Sequence, residues 1–274
     1  MFLLANAGSY AASSNTTDSS GAVFGFFIVL FFIIVIFKGV SSKPPSSPKP
    51  PKPSYRSDYP TGRKLTPRYY PSAYEAANFN PEGLRVFGTP GKSLLSSDFS
   101  ESSIQNGVLG EQKTAEIIDS FAQKSTNCYV FHSLRWPLSS TEADVDHIIV
   151  CGNNMLLLDS KNWRKKGVYA FNWDGDITVN GEYYRYGKNP KVFSARDKYE
   201  DYTNQYFPFG GSVRVGSTIV IHSPGSSVDK KPFTRWNRLS SATDLEKLLH
   251  DWELSLGIVQ DNKKLLCAIH HLLK

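Results

Sequence analysis

The stretch from Val145 to Trp163, VDHIIVCGNNMLLLDSKNW, constrains the fold more than any other part of the chain. Two short apolar runs meet at Gly152-Asn153, which reads as an antiparallel hairpin with a tight turn. A two-residue loop closed by Cys151 and Asn154 and a four-residue loop closed by Val150 and Met155 give the same register, with paired residue numbers summing to 305. Successive side chains on a strand point to opposite faces. Asp144, Asp146, Asp159 and Lys161 therefore share a face with Ile148, Val150, Met155 and Leu157, while His147, Ile149, Leu156 and Leu158 lie on the other. With both faces mainly apolar, the hairpin belongs in the middle of a sheet covered on both sides.

The ends of the hairpin break that pattern. In the expected register Asp146 stands directly opposite Asp159, and Asp144 opposite Lys161. Cross-strand partners have Cβ atoms about 4.5–5.5 Å apart, where two like charges are destabilising. A shared proton, a nearby lysine or a bound divalent cation would relieve the pair, and a hard cation takes oxygen ligands of this kind. The plainer alternative is a solvated rim in which Lys161 pairs with an acid.

The flanking segments supply covering layers. GVLGEQKTAEIIDSFAQK carries Val108, Leu109, Ile117, Ile118 and Phe121 at helical spacing, and CYVFHSL reads as a strand. GVYAFNW, DITV and EYYRYG, separated by Asp174-Gly175 and Asn180-Gly181 turns, predict a meander of short strands. Asn189-Pro190 opens a helix reaching about Tyr206, STIVIHS is a further strand, SATDLEKLLHDWEL is a helix capped by Ser241 or Thr243, and KKLLCAIHHLLK closes the chain as helix. The expected class is α/β or α+β, a mixed sheet flanked by helices, with the domain at 104–254 and the closing helix at 255–274.

The first hundred residues read differently. Residues 21–37 sit in an uncharged apolar run about as long as one helix needs to cross a hydrocarbon core, so they are expected to span a lipid bilayer. The head at 1–20 has no Lys or Arg, which excludes the basic n-region of a signal peptide. From Lys38 to Arg68 there are eight Lys or Arg against the single Asp58, a net +7. With Asp18 the only charge before this strip and a whole-chain charge of +6, residues 73–274 sum to zero. A basic strip beside the span is held in the cytoplasm, so the expectation is a single-pass protein of the cell membrane, N-terminus outside and domain cytoplasmic. The linker at 38–103 is rich in Pro and Ser; residues 44–53 fit a PxxP ligand for a protein partner as well as a semi-rigid spacer. Cys128, Cys151 and Cys267 are odd in number and have no CxxC spacing, so neither a disulfide framework nor a zinc site is expected. No Gly-x-Ser-x-Gly elbow and no phosphate-binding glycine loop is present, which removes the signals for a serine hydrolase or an NTPase.

An acid, a turn, then Asp-x-Lys on the next strand resembles the core of the PD-(D/E)xK nucleases. GVLGEQKTAEII, VDHIIV and LLLDSKNW in that order, followed by a Trp-containing meander and Asn189-Pro190, resemble more specifically the nuclease-related domain, or NERD, over about residues 105–222. This resemblance implies a restriction-endonuclease-like fold and metal-dependent hydrolysis of nucleic acid, DNA favoured, with Mg²⁺ or Mn²⁺. It makes Asp146, Asp159 and Glu111 the candidate metal ligands, and Lys161 the residue that positions the attacking water or stabilises phosphorane charge. Glu111 is equally an ordinary first-turn acid by position. Asn162 and Trp163 follow the motif as substrate contacts or as packing, and Arg164, Lys165 and Lys166 as phosphate contacts or as a solvated turn. The chain departs from the family pattern in having Asp159 where Glu is commoner, and Arg196 and Lys198 where a Gln usually follows Asn-Pro. A non-catalytic nucleic-acid-binding module and a membrane adaptor are the alternatives on the same fold.

Overall fold

A computed structural model describes residues 70–274 apart from 82, 93, 97–99, 138–143 and 208–211. The elements in chain order are α1 (Ala73–Asn78), β1 (Val86–Phe87), α2 (Glu101–Lys124), β2 (Cys128–Arg135), β3 (Asp144–Cys151) and β4 (Asn154–Lys161). There follow β5 (Val168–Phe171), β6 (Ile177–Val179), β7 (Glu182–Tyr183), α3 (Lys191–Tyr206), β8 (Arg214–Ile221), β9 (Ser227–Val228), β10 (Asn237–Ser241), α4 (Ala242–Leu256) and α5 (Lys263–His270).

The hairpin takes the middle of a six-stranded mixed sheet ordered β1-β2-β3-β4-β8-β10. β3 runs antiparallel to both β2 and β4, β1 lies parallel to β2, and β8 and β10 continue parallel to β4. The β3–β4 register runs from Cys151↔Asn154 to His147↔Leu158, each pair summing to 305 as expected. Both faces are covered. Ile148, Val150, Met155 and Leu157 pack with Val192, Phe193, Tyr199 and Tyr202 of α3 and with Leu265, Leu266 and Ile269 of α5. Ile149, Leu156 and Leu158 pack on the opposite face with Ile118 and Phe121 of α2 and Leu245 and Leu249 of α4. Burying such a side chain fully stabilises by about 1.5–3 kcal/mol, so a one-residue slip of the hairpin would cost many such contacts at once.

Two expectations need correcting. The ladder stops at His147↔Leu158, so Asp146 and Asp159 do not meet as a cross-strand pair. Instead an Asp146 oxygen accepts from the Ser160 backbone N–H at 2.7 Å. Asp144 pairs with Arg135 on β2 and takes the Lys274 ammonium at 3.2 Å, so it does not face Lys161. Second, Cys128 and Cys151 are joined in a disulfide, because the β2–β3 register sets them opposite one another with Cα atoms 4.4 Å apart. Strand pairing brought them together, and their sequence spacing carries no trace of it. Outside 104–254, β1 adds a parallel edge to β2, and α5, within the expected closing helix at 255–274, supplies core residues. The expected meander forms, as part of a second sheet ordered β7-β6-β5-β9.

No helix among the described residues is long and apolar enough to cross a membrane. The run at 21–37 and the Pro-rich stretch at 44–53 lie outside the described residues.

Candidate acid and lysine site

β4 and β8 are parallel and end together at Lys161↔Ile221, and β10 ends at the same edge with Ser241↔Ile221. Functional groups collect at such carboxyl ends because the chain leaves the sheet there and opens a crevice. Asp159 and Lys161, two apart, project to one face of β4, and Asp146 reaches them from β3.

Glu111 comes from α2. That helix approaches the edge closely because Gly110 has no side chain: a Cβ there would lie 3.0 Å from the Asn162 Cβ. Asn162 holds the approach by donating through Nδ2 to the Asn106 carbonyl at 3.1 Å. The Gly-Glu pair thus has a physical basis, the glycine admitting the helix and the next residue turning its carboxylate inward. Glu111 is 2% exposed and accepts from the Gly91 backbone N–H at 2.8 Å.

The four side chains form one electrostatic unit. Burial, with the charges of Asp144 and Asp159 behind it, pushes the Glu111 carboxyl up to about 7. Burial, then Glu111 and Asp159, holds the Asp146 carboxyl well above its ordinary range. For Lys161 burial opposes the charge, but Asp159 and Asp146 outweigh it and raise the ammonium pKa. Lys161 Nζ donates to Asp159 Oδ1 at 2.6 Å, with side chains 33% and 13% exposed respectively. The other Asp159 oxygen, Oδ2, is buried with no hydrogen-bond partner among the described residues. An unpartnered carboxylate oxygen is costly to keep away from water, and here it lies in a cluster of acids.

Among the described residues no group of three or more His, Cys, Asp and Glu side chains is arranged to hold a metal ion. The donor chemistry nevertheless fits a hard cation: Glu111, Asp146 and Asp159 are oxygen ligands, and one oxygen is buried without a partner.

The neighbours after the motif take other positions. Trp163 stacks on Tyr169 and meets Tyr184 edge-on, within the core between the two sheets. Lys165 lies 3.6 Å from Glu182 and over the Tyr184 ring. Arg164 and Lys166 are exposed on the same turn. In α3, Arg196 is engaged by Asp197, Glu200 and the Val215 carbonyl, while Lys198 lies over Trp136.

A second set of residues is visible only in the structure, apart from His147, which strand alternation places on the face away from the acids. Behind the acids, on the α2 face, a line of buried polar groups runs from Asp119 to His132 (3.0 Å), His147 (2.8 Å), Ser160 (3.2 Å), Thr114 (2.8 Å) and His222 (2.7 Å). It ties together the elements that carry the site. Thr114 lies one helical turn beyond Glu111, Ser160 lies between Asp159 and Lys161, and the His222 N–H donates to the Lys161 carbonyl. Their signal was faint, since a Ser inside Asp-x-Lys and a Thr inside a helix mean nothing until β4 and α2 are packed together. Thr114→Val keeps the shape and removes the hydroxyl at the centre of this line. It is expected to cost about 2 kcal/mol in urea unfolding, with Thr114→Ser restoring most of it.

Residues 106–222 match the family model of the nuclease-related domain, NERD. The match supports the NERD family for this part of the chain and with it a nuclease-related function. No curated protein and no solved structure matches the chain.

Proposed function

We propose that this nuclease-related domain hydrolyses phosphodiester bonds of nucleic acid, with DNA the favoured substrate, at Glu111, Asp146, Asp159 and Lys161. The observation that carries the proposal is the buried Asp159 carboxylate, one oxygen on Lys161 and the other without a partner, beside two acids whose pKa values are raised. A site tuned only for stability would not gather three carboxylates there. Glu111, Asp146 and Asp159 would hold Mg²⁺ or Mn²⁺, which supplies a nucleophilic water near neutral pH and compensates charge on the leaving oxygen. Lys161 presents a mobile positive charge to the phosphate. Asn162 keeps α2, and so Glu111, against the strand end. Arg164 and Lys166 stand exposed where a neighbouring phosphate would pass, and Trp163 acts through packing.

The run at 21–37 tethers this domain to the bilayer in the same reading, with the basic strip and the domain on the cytoplasmic side and the segment 44–53 available to a protein partner. The test uses the purified protein with plasmid, linear and single-stranded DNA and with RNA, in Mg²⁺, Mn²⁺ or EDTA, beside Asp159→Asn. Cleavage that needs the ion and disappears in the variant is the expected result. Binding without cleavage, equal in wild type and variant, would replace the catalytic reading with that of a nucleic-acid-binding module.

A further inference from the structure

A cavity of about 230 Å³ opens on the other side of the same strand ends, lined by Lys113, His222, Ser223, Ser226 and the start of α4 at Ser241–Thr243. His222 is 7% exposed. Burial, helped by Lys113, pushes its imidazolium down to about 4, so the ring is neutral. The Ser160 hydroxyl donates to Thr114, so the Thr114 hydrogen is left for His222 Nε2. A neutral imidazole accepting at Nε2 carries its hydrogen on Nδ1. Among the described residues no protein group takes that hydrogen, and the residue lines the cavity.

The other lining groups point to the same kind of ligand. Lys113 is exposed and forms no ion pair with an acid among the described residues. α4 is fifteen residues long, and the N–H groups of its first turn have no acceptor inside the helix apart from that of Asp244, which the Ser241 hydroxyl takes. The Asp244 carboxylate in that turn is already engaged by Lys230 and Ser241. The Ser223 and Ser226 hydroxyls are spent on the Lys165 carbonyl and on one another. The cavity therefore offers a cation, a buried ring N–H and a helix N-terminus, and no buried carboxylate.

We infer that this cavity is a phosphate subsite, which seats a phosphate of the nucleic-acid strand other than the one cleaved at the acid cluster. The backbone N–H of His222, bonded to the Lys161 carbonyl at 2.8 Å, makes the two sites neighbours across the sheet edge. The inference rests on the proposed nuclease reading for the identity of the strand, and it needs no divalent ion.

The experiment uses full-length protein in detergent and EDTA, carrying Lys161→Ala so that no cleavage intervenes, with a fluorescent single-stranded oligonucleotide as probe. Lys113→Gln is expected to weaken binding and to lower the slope of log affinity against log salt by about 0.7, the share of one phosphate contact on a single strand. His222→Gln should weaken binding without changing the slope, because it removes a neutral donor. The ¹⁵N signal of His222 Nδ1 should shift when the oligonucleotide is added, and should not shift in Lys113→Gln. Wild-type affinity and slope in both variants, with an unmoved Nδ1 signal, would overturn the subsite. If inorganic phosphate moves that signal while the oligonucleotide does not, the cavity takes free phosphate and the assignment to the strand falls. Lys113 is on the surface, so its variant folds even if the His222 variant does not. A protein that shows these shifts but never cleaves would remove the catalytic reading and leave the subsite standing.

Discussion

Lys161→Ala should cleave nucleic acid about 10²–10³ times more slowly than wild type while binding divalent ions more tightly. Lys161 Nζ lies 2.6 Å from Asp159 Oδ1, on the carboxylate to which a divalent ion would be drawn. In the ion-free protein it competes for that carboxylate, and the opposing charges raise its pKa. With an ion held by the carboxylates of the proposed site, the same ammonium would be free to turn to the phosphate, where its charge would compensate that of the transition state. Removing it would then delete a competitor and a catalytic charge together. Asp159→Asn should behave differently, since it would take away a proposed oxygen ligand and lower ion affinity and rate at once. Mn²⁺ titration and initial cleavage rates on the two variants separate the roles. A Lys161→Ala protein that lost rate and Mn²⁺ affinity in parallel would show the lysine to be a prop for the carboxylates.

The second large effect is one of stability, and it runs against activity. Glu111→Gln should stabilise the ion-free protein by about 3 kcal/mol at pH 8 and by less than about 1 kcal/mol at pH 5. The cause is the rise of the Glu111 pKa from an ordinary 4.5 to about 7 through burial and the charges of Asp144 and Asp159. An acid whose folded pKa exceeds its unfolded one binds its proton better when folded, so its contribution to stability falls as pH rises from about 4.5 and levels off above about 7. Gln cannot ionise, and its carbonyl can still accept the Gly91 N–H that Glu111 takes at 2.8 Å. Guanidinium unfolding of both proteins in EDTA at the two pH values measures the difference. A constant gap would mean that Glu111 does not titrate in this interval. The same substitution removes a carboxylate from the proposed ion site, so the more stable protein should be the less active one.

The hairpin was legible because its pattern has a period, a turn signal and two apolar faces that each demand cover. Its register, the faces of Asp159 and Lys161, the helix after Asn189-Pro190 and the Ser241 cap all follow from local rules. What escaped depends on neighbours distant in sequence. β1 has two residues and β10 reads NRLSS, too short or too polar to show alternation. The Cys128–Cys151 bond is a product of β2–β3 register, and the His147–Ser160–Thr114–His222 line of α2 lying against β4. The ladder also stops short of Asp146, whose carboxylate accepts the Ser160 backbone N–H, a contact that alternation along the strands does not reveal.

The disulfide also divides the site topologically. Joining Cys128 to Cys151 closes β2 and β3 into a covalent ring that contains Asp146, His132 and His147 but excludes Glu111, Asp159 and Lys161. A ring of this size disfavours the open chain by about 3 kcal/mol, and that restraint falls on the β2–β3 pair alone. The acid and lysine site is assembled from one residue inside the ring and three outside it. Under graded denaturation of the oxidised protein, the ring should keep its strands paired after α2 and β4 have pulled away, so the chemistry is lost while much of the scaffold still stands.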